Sequence, residues 1–229
     1  MPPEKNVRLT RDRSDEGEVM TANISQIGYG AGLTAAAFMV AYDLMQIFQI
    51  LGVIAFPLDE ILIYGTSLCI VVPFMLAILS LHHLTAREAQ FWTHAALIFT
   101  VIYAVFVSAN YVVQLATVIP AKLAGASAAV QWLEQTPHSL FWDYDAIGYI
   151  AMGLAALFAV PALSKVGLER WVRVSLIGHG LVTPLISIVY FSPTYSYKLL
   201  ILGFPWAVTA PLFTFLLALA LRKRDQGAV

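Results

Sequence analysis

Six apolar runs, each near or above the length needed to cross a bilayer, decide what this chain can become. They cover residues 24–55, 61–81, 91–119, 145–163, 171–191 and 199–221. A helix needs about 20 mostly apolar residues to cross roughly 30 Å of hydrocarbon. Only helices and closed barrels satisfy their backbone inside lipid, and none of these runs alternates as a lipid-facing strand does. The fold class predicted is all-α, a polytopic membrane helical bundle with six transmembrane helices over residues 23–222. Composition agrees: 59% of the residues are apolar and 12% charged, against roughly half and a quarter in soluble domains. The first and third runs are overlong, which predicts tilt or projection from the bilayer.

Residues 1–22, "MPPEKNVRLTRDRSDEGEVMTA", carry mixed charge and few apolar side chains. Such a segment buries too little surface to offset its ordering entropy and is expected to be a disordered tail. It lacks a short apolar core ending in a small-residue cleavage site, so the first span is expected to stay as an anchor. Cys69 is the single cysteine, which excludes an intrachain disulfide and a cysteine-based metal site within this sequence.

Charge sets the expected direction. Lys5, Arg8, Arg11, Arg13, Arg87, Lys165, Arg170, Arg173, Arg222, Lys223 and Arg224 fall on one side of the six spans; Lys122 and Lys198 fall on the other. That eleven-to-two division of the 13 basic residues predicts both termini, including the tail 223–229, in the cytoplasm. The opposite face carries Asp59, Glu60, Glu134, Asp143 and Asp145. A rim of that sign could gather cations, or it could simply reflect the exclusion of basic residues from that side.

Polar residues inside the spans recur at helical spacing. The first span has Tyr42, Gln46 and Gln49, with Asp43 beside Gln46. The third has Thr100, Tyr103, Asn110, Gln114 and Thr117, interrupted by Val107, and the fifth has Ser175, His179, Thr183, Ser187 and Tyr190. Lipid offers such groups no partner, so they are expected to face the bundle interior. The simplest arrangement gathers spans one, three and five around a shared axis with the even spans outside. Stripes of hydroxyls and amides can also be plain interhelical glue, at about 0.6 kcal/mol per bond. Asp43 fits that role less well, since a mid-span Asp costs roughly 2.5–3.5 kcal/mol on insertion scales.

Helical rise from Pro57 puts Asp43 about 20 Å below the outer surface. His179 comes out about 12 Å above the inner surface, and Asn110 and Tyr111 about 13–15 Å below the outer end of their span. The candidate ligand-binding set is therefore Asp43, Gln46, Asn110, Tyr111, Gln114, His179 and Thr183. Asp43 and His179 are expected to act together, directly or through Tyr111 or a water. The alternative leaves Asp43 bonded locally to Gln46 or Tyr111 and His179 packed on Thr183.

His94 and His179 could ligate a haem from facing helices, and His82, His83 and Glu88 with His94 could hold a metal across the turn between the second and third spans. Neither set has a diagnostic spacing. The outer loop 120–144 has helix-forming composition over Ala124 to Gln135, with Trp132, Leu133, Phe141 and Trp142 suited to a membrane interface. It could be a lid or an interfacial anchor. No nucleotide loop, serine elbow, zinc motif or basic nucleic-acid patch occurs, so no nucleic-acid partner is expected.

The segments "NYVVQLATVIP" and "TPHSLFWDYDAIGYIAMGLAALFAVPAL" resemble a group of uncharacterised bacterial integral membrane proteins. The shared features are a Tyr–Gln third span, a Pro-His outer loop and a Gly-Tyr opening to the fourth. The resemblance covers roughly residues 109–175. It implies a bacterial inner-membrane location and a six-helix count, and brings no activity. The function expected from the residues is binding or transport of a small amphipathic molecule in a polar pocket between spans one, three and five. An intramembrane enzyme or haem-bearing redox subunit is one alternative, and an accessory membrane subunit another.

Overall fold

A computed structural model describes residues 4–226, with side chains over 19–224 except at position 197. All regular structure among the described residues is helical. Six long helices carry the spans: α1 (Glu4–Ile50), α2 (Leu58–His83), α3 (Gln90–Val113), α4 (Leu140–Ala159), α5 (Gly167–Phe191) and α6 (Pro205–Gln226). Each contributes a segment long and apolar enough to cross a membrane, which makes this a multi-pass membrane protein.

Several boundaries differ from hydropathy, each for a local reason. α1 starts at Glu4, directly after Pro2 and Pro3, so from Glu4 onward the tail expected to be disordered is helical. Once a span is formed, adding a residue to its end costs far less than nucleating a helix, and residues 4–16 contain neither proline nor glycine. α1 stops at Ile50 rather than near residue 55, because Gly52 adopts a φ of 67°. Its N–H donates to Gln49 O at 3.0 Å while that of Val53 donates to Phe48 O at 2.9 Å, the paired bonds of a Schellman stop. α4 begins at Leu140, before the expected residue 145, because the Ser139 side chain accepts the Trp142 N–H at 3.1 Å.

α3 continues through a wider turn, Gln114–Val118, with i→i+5 geometry, and a last helical turn, Ile119–Leu123. The extra residue in that turn shifts the inward face by one position. Val118 is buried where the stripe predicted Thr117, and Thr117 is exposed.

The helices form a closed ring: each packs on its sequence neighbours, and α6 closes against α1. This replaces the expected core of odd helices with even helices outside, since α1, α3 and α5 share no substantial interface with one another. Short connections make successive helices antiparallel neighbours, so all six have equal standing. α1 and α6 run antiparallel, from Ser25 against Leu221 to Tyr42 against Trp206, so the start of α1 and the end of α6 lie at one end of the ring. That end is called near below, and the other far.

Close approaches fix the ring. A Cβ on Gly32 would sit 2.7 Å from Ala218 Cβ, one on Gly28 2.6 Å from Ser80 Cβ, and one on Gly148 2.6 Å from Val107 Cγ2. In lipid, where burial of apolar surface gives helices no drive to associate, such contacts carry much of the packing. At mid-depth Phe74 and Phe213 meet with ring centroids 5.9 Å apart, and Tyr103 lies against Phe74 at 5.5 Å. These buried rings fill the ring's centre.

At the near end, arginines satisfy carbonyls that helix ends leave unpaired. Arg173 donates to Val160 O at 2.6 Å and Leu163 O at 2.8 Å, closing α4. Arg224 donates to Leu84 O at 3.2 Å and Ala162 O at 3.1 Å, and pairs with Glu169 at 2.8 Å. The positive charges that mark this end in the sequence are thus also its caps.

Candidate functional site

The far half of the ring holds a half-open cavity of about 940 Å³. Its walls come from the last two turns of α1, the first turns of α4, the end of α5, the 195–204 connection and the start of α6, with Gln135 from the far-end loop 120–144. Above the Tyr42–Trp206 contact α1 and α6 no longer touch through these side chains, and Asp43, Gln46 and Gln49 line the space instead.

Asp145 sits at one wall, 2% exposed, and three donors converge on it. Tyr111 OH donates to Oδ1 at 2.8 Å, Asn110 Nδ2 to the same oxygen at 3.3 Å, and Tyr190 OH to Oδ2. These bonds replace the water a carboxylate would otherwise hold, and they tie α3, α4 and α5 together. Beside them the Tyr42 and Tyr149 hydroxyls are 2.7 Å apart, joining α1 to α4. One hydroxyl proton is used between the two, so the pair retains one more to donate. Trp206, flanked by these rings, is buried, and its Nε1 has no hydrogen-bond partner among the described residues. Asp43 also has no hydrogen-bond or ion-pair partner among them, in contrast to Asp145.

The amides of α3 hold the far-end loop 120–144. Asn110 Nδ2 donates to Gln135 Oε1 at 3.0 Å, Gln114 Nε2 to Leu133 O at 2.7 Å, and the Gln135 N–H to Gln114 Oε1 at 3.2 Å. Helix in the loop is confined to Ser127–Val130 among its middle residues. Val130 is buried and Trp132 is 84% exposed, so the loop caps the bundle with one side and presents the indole with the other. Of the far-face acids, Glu60 and Glu134 share Lys122 at 3.0 and 2.8 Å. Asp59 accepts from Gln49 Nε2 at 2.8 Å. Three members of the acidic rim are therefore already partnered.

Of the expected site residues, Asp43 and Gln46 line the cavity, Asn110 and Tyr111 bind Asp145, and Gln114 holds the loop. His179 is inward but elsewhere. Its Nδ1 is 3.0 Å from Thr209 Oγ1 on α6, and its ring lies 4.7 Å from that of Phe213. No hydrogen bond or ion pair joins Asp43 to His179; the His179 ring lies 6.5 Å from that of Trp206, against which Tyr42 packs. α1 ends at Ile50, so Asp43 lies about 10 Å from that end, while His179 is midway along α5, about 18 Å from either end. Depth counted from Pro57 assumes helix up to that residue, whereas α1 ends at Ile50. Thr183 packs against Gly153 of α4, away from the cavity walls.

The histidine sets resolve likewise. His94 lies beside His82, ring centroids 5.7 Å apart, on a helix that shares no substantial interface with α5, so His94 and His179 do not face each other as haem ligands. His82 Nδ1 is 2.9 Å from Thr93 Oγ1. Among the described residues no group of three or more His, Cys, Asp or Glu is placed to hold a metal ion.

Asp145 is the residue that sequence reasoning missed as a site. Hydropathy alone starts the fourth span at residue 145 and so groups Asp145 with the loop acids. The Ser139 cap, with Asp143 in the first turn, was the signal that moves the start back and draws Asp145 inside. No protein-family model, no curated protein and no solved structure matches this chain.

Proposed function

We propose that this membrane protein binds, or carries part-way across the bilayer, a small amphipathic molecule held in the far-half cavity. One observation carries the reading: a cavity of about 940 Å³ that combines apolar walls with two polar groups lacking partners among the described residues, Asp43 and Trp206 Nε1. Ligand sites are concave, mostly apolar and equipped with a few convergent polar groups. Interhelical glue has no use for a carboxylate left unpaired or a buried indole N–H without an acceptor, since each costs stability. The eleven-to-two division of basic residues supports placing the near end in the cytoplasm, with the cavity open toward the outer leaflet of a bacterial inner membrane. The filled centre around Phe74 and Phe213 favours binding from one side over a continuous channel.

Gly203 provides the test. It lines the cavity, and a Cβ there meets nothing within 4 Å, so Gly203→Trp fills the space without displacing a helix. Native mass spectrometry of protein released from its own membranes should show a retained small molecule that Gly203→Trp lacks. Identical spectra for the two proteins would remove the reading.

A further inference from the structure

We infer that the cavity's ligand is an amphipathic organic cation, its charged head among the aromatic rings beside Asp43 and its apolar part toward the mouth. The inference rests on the binding reading above and narrows it to a chemical class.

The lining carries a continuous aromatic wall. Tyr42, Trp206, Tyr149, Tyr190, Trp142 and Tyr195 follow one another with successive ring centroids 5.7, 5.0, 6.2, 4.5 and 5.8 Å apart. Ring faces attract cations, and substituted ammonium groups are held in cages of this kind. The same lining contains two carboxylates, Asp43 and Asp145, and none of its described residues is Lys, Arg or His. The two acids have different standing. Asp145 is saturated by three donors and contributes a fixed negative field, whereas Asp43 has no partner among the described residues and is part-exposed to the cavity. An anionic head would meet both carboxylates with no basic group to offset them. A neutral head would leave Asp43 uncompensated inside a span, where an unpaired carboxylate is costly. A cation supplies what Asp43 lacks. The mouth is rimmed by Ile50, Leu200, Ile201 and Phe204, all exposed, a surface suited to an alkyl or aryl tail reaching from lipid.

The test uses three probes with one tail: decyltrimethylammonium, decyl sulfate and decanol, each below its micellar concentration. Binding to the full chain in a neutral detergent is read by calorimetry, with Gly203→Trp as the blank for partition into the micelle. Decyltrimethylammonium should bind most tightly, and Asp43→Asn should weaken it about tenfold or more, the scale of a desolvated cation–carboxylate or cation–ring contact. Gln46→Lys, one helical turn from Asp43, should abolish binding of the cation and raise that of the sulfate. Gel filtration and circular dichroism confirm that each variant is folded. If decyl sulfate or decanol binds the native chain as tightly as the ammonium, the cation assignment falls and the binding reading stands. If no probe distinguishes the native chain from Gly203→Trp, both fall. A cation preference unmoved by Asp43→Asn and Gln46→Lys would overturn the role given to Asp43.

Discussion

On the far side of Phe74 and Phe213 a connected network of side-chain hydrogen bonds surrounds a cavity; on the near side the side-chain bonds are scattered, among them Ser25 to Leu221 O and His82 with Thr93, and the helices meet in close contact under arginine caps. The far half carries Asp145 with its three donors, the Tyr42–Tyr149 pair and the amides that hold the far-end loop. The near half carries Gly28 and Gly32 against Ser80 and Ala218, and Arg173 and Arg224 on the ends of α4 and α2. Both halves are built from the same six helices, so the contrast is one of side chains rather than topology. It teaches that stability and recognition are separated by depth. Contact packing leaves no room for a ligand, whereas a polar network can leave space and still hold its helices, provided every member is satisfied. Asp59 Oδ1 and Trp206 Nε1 are buried without a partner among the described residues, and Asp43 has neither hydrogen bond nor ion pair there; of these three residues Asp43 and Trp206 line the cavity.

The sharpest break of the contrast removes the centre of the polar network. Asp145→Leu would leave Tyr111, Tyr190 and Asn110 without their acceptor inside a span, a loss on the order of 3–5 kcal/mol. Unfolding in mixed detergent should register it. Hydrogen exchange should localise the loosening to the far ends of α3, α4 and α5 while the arginine-capped end stays protected. A loss below about 1 kcal/mol, or equal loosening of both ends, would mean the halves are not separate in the way described.

The near half should fail differently. In Gly32→Leu the new Cβ meets Ala218 Cβ at 2.7 Å and its Cα at 3.1 Å, so backbone must move, and overpacking of this kind costs about 1–3 kcal/mol. The cavity lies beyond the Tyr42–Trp206 contact, so ligand retention should persist in whatever fraction remains folded. Loss of retention with unchanged stability would contradict the division.

A third change probes the border between the network and the loop. Asn110→Ala removes donors to both Gln135 and Asp145 but leaves Asp145 two tyrosine hydroxyls. About 1–2 kcal/mol should be lost. A spin label at Trp132 should gain mobility as the loop loses one of its two anchoring amides. An unchanged label would assign the loop's hold to Gln114 alone.

Spans and inward-facing stripes were legible in the sequence because the bilayer imposes them: 20 apolar residues and a polar face that lipid rejects leave little choice. Asn110, Gln114 and His179 are buried as their spacing implied. What the stripes face was not legible. A helical period tells which way a residue points within its helix, not which neighbour lies there, so His179 was matched with Asp43 rather than with Thr209 on α6. The partner residues Asp145 and Thr209 sit on the fourth and sixth helices, where no polar stripe at helical spacing announces them. The Gly52 stop of α1 and the wider turn at Gln114–Val118 each moved a register by amounts that hydropathy does not register. α6 closing the ring depends on contacts between the two ends of the chain, for which no local signal exists.

The smallest expected change in stability has the opposite sign and is the most informative about Asp43. The carboxylate of Asp145 is solvated by three donors, whereas that of Asp43, about 10 Å inside the far end of α1, has no such partner among the described residues. A carboxylate held without partners in a span costs free energy, roughly 2.5–3.5 kcal/mol at the centre of an isolated span on insertion scales. The cost near a helix end beside an open cavity is smaller. Asp43→Asn keeps the shape and removes the charge, so the unliganded protein should gain up to about 1 kcal/mol rather than lose stability. The same variant should lose its retained ligand, because the group that costs stability is the one proposed to meet the cation. Resistance to unfolding by mixed detergent, measured without added ligand, separates the two effects from one another. A loss of more than about 1 kcal/mol would show that Asp43 is a structural partner like Asp145, and the contrast between the two carboxylates would then have no basis.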